Sequence, residues 1–236
     1  MKISGLQKMT LLDYPGKVAC TVFLQGCNFR CPFCHNSDLL GRSGPEEIPV
    51  DTLMAFLKKR VGLLDAVCIT GGEPTLQKDL PELLEGIKAL GYLVKLDTNG
   101  THPGMVRDLV ARGLVDYIAM DIKNSPEKYP DTAGVSRMEL GAVEETMQFL
   151  LQGDLPYEFR TTVVAELHTP EDMKSIGLWL KKLSPDRKPP ALYLQSYTDR
   201  DSVLMAGLSA HSKETMQEFK DILAPCADKV ELRGIE

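Results

Sequence analysis

The chain has 236 residues, 43% of them hydrophobic and 25% charged, a composition typical of a folded soluble protein. Its formal net charge of −6 argues against a nucleic-acid partner, because nucleic-acid-binding surfaces are usually basic. No apolar run reaches the roughly eighteen residues of a membrane span, and residues 1–8 lack the apolar stretch of a secretory signal. We therefore expect a cytoplasmic protein without a membrane segment.

Short β-rich segments alternate with amphipathic helical patterns along the chain. The predicted strands are Val18–Leu24, Ala66–Thr70, Tyr92–Thr98, Val115–Asp121, Glu158–Val164, Ala191–Gln195 and Lys229–Leu232. The predicted helices are Val50–Arg60, Lys78–Leu90, Pro103–Arg112, Glu139–Leu151, Pro170–Leu183 and His211–Leu223. The segment Asn124–Arg137 contains Pro and Gly and is predicted to lack regular structure. This alternation predicts an α/β fold in one domain, residues 1–236, whose parallel sheet curls into a barrel or a partial barrel.

Polar residues follow four of the predicted strands. They are Gly71-Gly72-Glu73-Pro74 after the second strand, Asp97-Thr98-Asn99-Gly100 at the third, Asp121-Ile122-Lys123 at the fourth and Gln195 at the sixth. In a parallel barrel these positions lie on the C-terminal face, where active sites collect. Each sequence alone is also typical of a turn. Four polar strand ends on one rim nevertheless predict a functional site there.

Three of the six cysteines, Cys27, Cys31 and Cys34, follow the first predicted strand with the spacing C-x3-C-x2-C. In a reducing cytosol such a cluster indicates metal binding rather than disulfides. Three thiolates can bind three irons of a cubane cluster and leave the fourth iron open to another ligand. The alternative is structural zinc with His35 as fourth ligand, although adjacent Cys34 and His35 converge poorly on one tetrahedral ion.

The other three cysteines are scattered along the chain. Cys20 and Cys68 lie in apolar strand segments and are expected to pack as small hydrophobic side chains. Cys226 follows Pro225 at a predicted helix end, and the sequence assigns it no role.

The C-x3-C-x-aromatic-C pattern after the first strand, followed by Gly71-Gly72-Glu73, resembles the radical S-adenosylmethionine (radical SAM) superfamily. The resemblance implies a partial (β/α)6 barrel and a [4Fe–4S] cluster held by Cys27, Cys31 and Cys34. It also implies that SAM binds the open iron and is cleaved reductively to methionine and a 5′-deoxyadenosyl radical. The protein's part is then to hold SAM beside the cluster and to exclude solvent from the radical.

The same resemblance implies the residues that contact SAM. Phe33 would pack near the adenine, while Gly71, Gly72 and Glu73 would receive the methionine ammonium. The other implied contacts on this rim are Asp97, Asp121, Lys123, Arg160 and Gln195. The residues that match a monovalent-cation site are Asp97, Thr98, Met120 through its carbonyl, and Asp121. The alternatives are a core aromatic for Phe33 and salt-bridged surface charges for Lys123 and Arg160.

The flanking motifs Leu12-Asp13-Tyr14-Pro15-Gly16-Lys17 and Cys34-His35-Asn36 are similar to those of glycyl-radical-enzyme activating enzymes. Within that group the anaerobic ribonucleoside-triphosphate reductase activating proteins are the most similar. This resemblance implies an oxidoreductase of anaerobic metabolism that generates a glycyl radical on a partner enzyme, with flavodoxin or ferredoxin as reductant. It also makes Asp13 a contact to the partner's peptide, although Asp13 can equally be part of a simple turn.

Two departures and two alternatives accompany this interpretation. Tyr14 stands where the activating enzymes more often have glycine, and Gln195-Ser196-Tyr197 stands where some have histidine. The first alternative is a small-molecule radical SAM enzyme such as 7-carboxy-7-deazaguanine synthase. The second is a non-catalytic iron–sulfur or metal-binding module. The sequence does not identify the partner enzyme.

Overall fold

The computed structural model describes residues 1–41 and 46–235. Its strands are β1 Ile3–Thr10, β2 Ala19–Leu24, β3 Ala66–Gly71, β4 Leu93–Thr98, β5 Tyr117–Asp121, β6 Tyr157–Val163, β7 Leu192–Ser196 and β8 Val230–Arg233. Its α-helices are α1 Val50–Lys58, α2 Leu80–Ala89, α3 Pro103–Ala111, α4 Tyr129–Ala133, α5 Gly141–Gln152, α6 Pro170–Leu183 and α7 Lys213–Leu223. The strands neighbour one another in the order β1-β2-β3-β4-β5-β6-β7-β8. Strand β1 is antiparallel to β2, whereas β2-β3, β3-β4, β6-β7 and β7-β8 pair in parallel.

The described residues group into two compact units. The first comprises Met1–Asn28, Asn36–Thr98 and His102–Ala119, and the second comprises Phe29–His35, Asn99–Thr101 and Met120–Glu236. Strand β5 is shared, because its first three residues belong to the first unit and its last two to the second. The assignment of residues 1–236 to one domain stays a prediction.

In the first unit, alternate positions of the parallel strands carry side chains that are fully buried. These side chains are Val22, Leu24, Val67, Ile69, Val94 and Leu96. Burying each one contributes about 1.5–3 kcal/mol of hydrophobic stabilisation. On the other face the strands are in register as rows, with Thr21 of β2 beside Cys68 of β3 and Cys68 beside Lys95 of β4. The three side chains of this row are polar, whereas the positions that alternate with them along each strand are apolar.

In the second unit, helix α6 begins with a capping box. The Thr169 hydroxyl accepts a hydrogen bond from the Asp172 amide, and the Asp172 carboxylate accepts one from the Thr169 amide at 2.8 Å. This reciprocal pairing satisfies amide groups that lack helical partners. Farther along the helix a Cβ atom on Gly177 would lie 2.7 Å from the Cys226 sulfur. Cys226 therefore packs against a glycine of α6.

The α/β class and the seven predicted strands and six predicted helices are confirmed, with boundaries shifted by one or two residues. The strand β1 was not predicted, and the prediction that Asn124–Arg137 lacks regular structure is wrong. Helix α4 lies there, with Pro130 in its first turn and Gly134 in the left-handed conformation at its end. Proline and glycine act here as start and stop signals of a short helix. No helix within 1–41 and 46–235 is long and apolar enough to cross a membrane.

Candidate active site

The three predicted cluster ligands lie in one short segment that runs from the first unit into the second. Cys27 is half-buried and belongs to the first unit, whereas buried Cys31 and half-buried Cys34 belong to the second. None of the three forms a disulfide. The donor chemistry fits a cubane cluster, in which each cysteine thiolate binds a different iron. In the described part of the chain, no three His, Cys, Asp or Glu side chains are grouped around a single metal ion. A cubane cluster does not require that grouping, since its ligands bind separate irons.

Helix α4 supports the cysteine segment within the second unit. The Arg30 amide donates a hydrogen bond to the Ala133 carbonyl at 2.9 Å. A Cβ atom on Gly134, whose φ is +67°, would lie 2.1 Å from the Arg30 carbonyl oxygen. The Phe29 ring meets the ring of fully buried Tyr129 edge-on, with centroids 6.4 Å apart. Gly134 therefore permits a close backbone approach that any side chain would prevent.

Residues 198–205 support the other end of the same segment. The Leu204 and Met205 amides donate to the Pro32 carbonyl at 3.1 and 3.0 Å. The His35 Nε2 donates to the Thr198 carbonyl at 2.7 Å, because a carbonyl oxygen can only accept. Phe33, the predicted adenine contact, is buried with 6% of its surface exposed. Its predicted role in binding SAM stays a prediction.

Gly71 at the end of β3 and the following Gly72 allow close backbone contacts with the residues before Cys27. A Cβ atom on Gly71, whose φ is +124°, would lie 2.2 Å from the Leu24 carbonyl oxygen. A Cβ atom on Gly72 would lie 2.0 Å from the Gly26 carbonyl oxygen and 3.2 Å from the Cys27 Cβ. These positions require glycine because a larger residue would displace the strand that leads to Cys27.

Glu73 lies in a buried hydrogen-bond network. Its Oε1 accepts bonds from the Thr75 amide at 3.1 Å, the Thr75 hydroxyl at 2.5 Å and the Thr98 hydroxyl at 2.8 Å. Only 1% of its surface is exposed. The Glu73 side chain also caps a 3-10 helix at Pro74–Leu76. The network joins two predicted site residues, Glu73 and Thr98.

Lys95 joins two further predicted residues of the first unit and was not predicted itself. Its Nζ donates to the Asp13 carbonyl and lies 3.4 Å from Asp97 Oδ1. The Asp13 carboxylate accepts a hydrogen bond from the Thr21 hydroxyl at 2.5 Å. A signal for Lys95 was present in the sequence, since a lysine interrupts the otherwise apolar alternation of β4. Burial raises the pKa of the neighbouring Cys68 thiol to about 12, although the charge of Lys95 opposes this shift.

Tyr14 lies in the hydrophobic core next to Cys68. It is 7% exposed and packs in one cluster with Ala19, Ala66 and Cys68. Its ring centroid lies 5.6 Å from that of Tyr117. Burial, followed by the charge of Asp116, raises the pKa of the Tyr14 phenol to about 12. The residue that departs from the activating-enzyme pattern is thus part of the core.

The second unit holds a compact ionic cluster of Asp121, Lys123 and Arg160. Asp121 accepts from the Lys123 Nζ at 3.0 Å and from the Arg160 Nε at 2.9 Å. Burial alone would raise the pKa of Asp121, but the charges of Arg160 and Lys123 outweigh it and lower the pKa to about 2. Burial would lower the pKa of Lys123, but Asp121 and then Cys31 raise it. The two cations are paired as the alternative interpretation expected, but they are largely buried rather than on the surface.

Two residues that sequence reasoning missed hold the backbone of this cluster. His168 is fully buried, and its Nε2 donates to the Lys123 carbonyl at 2.9 Å while its Nδ1 accepts from the Val164 amide at 3.1 Å. Burial lowers the pKa of His168, which suits a neutral ring in this pairing. The Tyr129 hydroxyl donates to the Asp121 carbonyl at 3.3 Å. Neither residue lies in a motif, so the sequence carried no signal for them.

The remaining predicted residues are less closely connected to this cluster. The Met120 side chain is buried, and a Cβ on Gly100 would lie 2.1 Å from its terminal methyl group. Because a methionine side chain contains no oxygen, only the Met120 carbonyl could bind a hard cation. Gln195 is half-buried in β7, in register with Thr162 of β6 and Arg233 of β8.

Comparison with known proteins decides the family. The sequence profile of the radical SAM superfamily matches residues 21–176. The chain belongs to the radical SAM superfamily. Membership confirms the predicted enzyme class and fold, and it implies a [4Fe–4S] cluster and SAM as cofactors.

Curated relatives include activating enzymes and a synthase. A Methanocaldococcus jannaschii protein, provisionally named a glycyl-radical enzyme activating enzyme, is 36% identical over 76% of this chain and 75% of its own. The pyruvate formate-lyase-activating enzyme of Clostridium pasteurianum is 31% identical over 52% of each chain. The 7-carboxy-7-deazaguanine synthase of Aquifex aeolicus is 41% identical over 33% of this chain and 34% of its own.

Solved structures agree with the family at the level of the fold. A radical SAM methyltransferase from Sphaerobacter thermophilus superposes with a TM-score of 0.71 at 15% identity, covering 95% of this chain and 68% of its own. At this identity the similarity concerns the fold alone.

Proposed function

We propose that the protein is a glycyl-radical-enzyme activating enzyme that takes a hydrogen atom from a backbone glycine of a partner enzyme. The observation that carries this proposal is the 36% identity to the M. jannaschii protein, which extends over three quarters of both chains. The Asp13–Gly16 motif adds support, because it resembles the corresponding motif of the activating enzymes. With the cluster and SAM bound, one electron would cleave SAM to methionine and a 5′-deoxyadenosyl radical.

The chain's own residues then have the task of binding and orienting SAM. We propose Cys27, Cys31 and Cys34 as the cluster ligands and Phe33 as the contact to the adenine. In the second unit, Lys123 and Arg160 outnumber Asp121, so this cluster suits the carboxylate of SAM. In the first unit, the Glu73 carboxylate is held rigidly by Thr75 and Thr98 and suits the ammonium. Gly71, Gly72, Asp97 and Gln195 complete the proposed set, and Asp13 is the proposed contact to the partner's peptide.

The relatives support a glycyl radical enzyme as the partner class, and the flanking motifs support one candidate within it. We propose an anaerobic ribonucleotide reductase as first candidate, because Asp13-Tyr14-Pro15-Gly16 and Cys34-His35-Asn36 resemble the activating proteins of that enzyme. Pyruvate formate-lyase is the second candidate because its activating enzyme is 31% identical over half of the chain. We propose flavodoxin or ferredoxin as the electron donor, since the other three cysteines are scattered and form no second cluster motif.

A monovalent cation at Asp97, Thr98, Met120 and Asp121 is a further part of the proposal. Asp97 already faces Lys95, and Asp121 faces Lys123 and Arg160. A bound Na⁺ or K⁺ would therefore share these carboxylates with protein cations. Cleavage of SAM measured in KCl, NaCl and choline chloride at one ionic strength tests this. Equal rates in the three salts would remove the cation from the proposal.

The test of the proposed function is radical formation on a partner. Protein reconstituted anaerobically with iron and sulfide is mixed with SAM, dithionite and each candidate glycyl radical enzyme, and the glycyl radical is measured by electron paramagnetic resonance. A doublet that depends on both SAM and the activating protein is the expected result. Cleavage of SAM with no radical on any candidate would favour the small-molecule alternative, for which the partial identity to the synthase is the supporting observation. A cluster without cleavage of SAM would indicate a non-catalytic module.

A further inference from the structure

Lys95 places a charged side chain at a buried position of strand β4. Its sequence neighbours Val94 and Leu96 are fully buried. In the parallel ladders Lys95 lies beside Cys68, and Cys68 lies beside Thr21, so the three side chains form one row on one face. A charged group in a buried row requires compensation, because desolvating an ammonium without partners is costly.

The compensation comes from two separate parts of the first unit. The Lys95 side chain is 4% exposed, and its Nζ lies 3.4 Å from Asp97 Oδ1, near the C-terminal end of the same strand. The same Nζ donates to the Asp13 carbonyl in the turn before β2. The Tyr117 ring centroid lies 5.9 Å from Nζ and adds a cation–π attraction. One ammonium therefore binds both the turn and the strand end.

Packing alone does not require this charge. An apolar side chain of similar length would fill the row, and replacing a buried ion pair by apolar groups is often neutral or stabilising. The two groups that Lys95 contacts are, however, the proposed peptide contact Asp13 and the proposed SAM contact Asp97. Holding a binding group in place before the ligand arrives lowers the entropy lost on binding.

We propose that Lys95 is a positioning residue that orients the Asp97 carboxylate for SAM and anchors the Asp13 turn for the partner's peptide. This inference rests on the proposed function. Binding of SAM and binding of the partner's peptide then both depend on Lys95, so a single substitution affects both. Lys95 acts through Asp97 and Asp13 and does not itself touch a reacting atom.

The first test measures the anchoring of the turn and does not depend on the cofactors. Amide hydrogen exchange is followed by mass spectrometry in the wild type, Lys95→Met and Lys88→Met. Lys88 is the control, since it forms an ion pair with Asp116 in the same unit, at 2.7 Å, and its ammonium bonds to neither Asp13 nor Asp97. Faster exchange of residues 11–17 is expected in Lys95→Met and not in Lys88→Met. Unchanged exchange in Lys95→Met would overturn the anchoring role.

The second test measures the affinity for SAM in the reconstituted proteins by equilibrium dialysis. We expect Lys95→Met to weaken SAM binding about tenfold, with the cluster retained. Lys95→Arg keeps the charge and should restore most of the affinity, which a purely structural role in packing would not predict. Wild-type affinity in Lys95→Met, or equal losses in the Met and Arg variants, would overturn the inference.

A third variant covers the case in which Lys95→Met does not fold. Asp97→Asn keeps the bond from Lys95 to the Asp13 carbonyl, so it should lose affinity for SAM while residues 11–17 keep their slow exchange. If Asp97→Asn lost SAM affinity and also exchanged residues 11–17 faster, the two contacts of Lys95 would not be independent, which would contradict the inference. If the wild type itself binds no SAM, the proposed function fails, and the exchange experiment still decides whether Lys95 anchors the turn.

Discussion

The two units carry ionic clusters of opposite balance. In the first, the charges of Lys95, Asp97 and Asp13 all act on Cys68, a formal sum of −1, and Lys95 pairs with the Asp97 carboxylate while it donates to the backbone carbonyl of Asp13. In the second, Lys123 and Arg160 have two positive charges against the one carboxylate of Asp121, a formal sum of +1. The comparison teaches that the cluster of the first unit favours a cationic group and the cluster of the second unit an anionic one.

The largest expected difference is between substitutions of two cysteines that each lie near a lysine. Cys31 lies near Lys123, and Cys68 lies near Lys95. Cys31→Ala should abolish the iron–sulfur cluster and all cleavage of SAM, because a proposed ligand is lost. Cys68→Ala should keep both and lower the free energy of unfolding by only about 1–2 kcal/mol. Iron content, the absorption of the cluster and denaturant unfolding measure these outcomes. A full cluster in Cys31→Ala would remove this cysteine from the ligand set.

The next effect tests whether Asp13 of the first unit contacts the partner's peptide. Asp13→Ala should keep the cluster and the uncoupled cleavage of SAM but lose radical formation on the partner by tenfold or more, as expected when a charge-assisted contact is removed. Thr21→Val is the matched control, since it removes the same hydrogen bond from the other side and leaves the carboxylate. If both variants lose radical formation equally, Asp13 acts through the turn alone.

A smaller effect tests the proposed contact to the SAM ammonium. Glu73→Gln should weaken SAM binding about tenfold and leave the cluster intact, because a charge-assisted contact becomes a neutral one. Thr98→Val removes one of the hydrogen bonds to Glu73 while keeping its charge, and it should have a smaller effect on affinity. Equilibrium dialysis with SAM measures both. Unchanged affinity in Glu73→Gln would exclude Glu73 from the site.

The smallest effect concerns Asp121, Lys123 and Arg160 and is measured as the pH dependence of the free energy of unfolding. The pKa of Asp121 is lowered to about 2 in the folded protein from 3.8, so its stabilisation is fully present above pH 4 and is lost as the pH falls towards 2. Asp121→Asn should therefore lower the free energy of unfolding by about 1–2 kcal/mol at pH 6, after allowance for solvent screening. Below pH 4 the difference from the wild type should shrink. Urea unfolding at pH 3, 4 and 6 tests this, and a difference that is constant across the range would contradict it.

Much of the fold was predictable because its strands and helices carry strong local signals. Strands β2 and β3 are continuous apolar runs, and Thr169-Pro170 marks the start of α6 with a cap and a proline. Strand β1 was missed because it pairs antiparallel at the edge, where three of its residues are exposed and its alternation is weak. Helix α4 was missed because its proline and glycine were interpreted as breakers rather than as its two ends.

The candidate site was predictable where its residues lie in motifs. The cysteine spacing and Gly71-Gly72-Glu73 indicate a chemistry by themselves, because each function needs particular residue types close together in sequence. Lys95, Tyr129 and His168 were not predicted. Their importance comes from contacts with backbone carbonyls of distant residues, which the pattern of side chains does not show, although a charged residue inside β4 was itself a signal for Lys95.

The sequence by itself determined the superfamily, the α/β class and the order of strands and helices, since these depend on local motifs and on hydrophobic periodicity. The tertiary structure alone decided which charges meet. Asp13 and Lys95 are 82 positions apart in the chain, and Asp121 and Arg160 are 39 apart. The parallel pairing of β2, β3 and β4 shows the reason, because neighbouring strands place segments that are distant in sequence side by side at fixed positions.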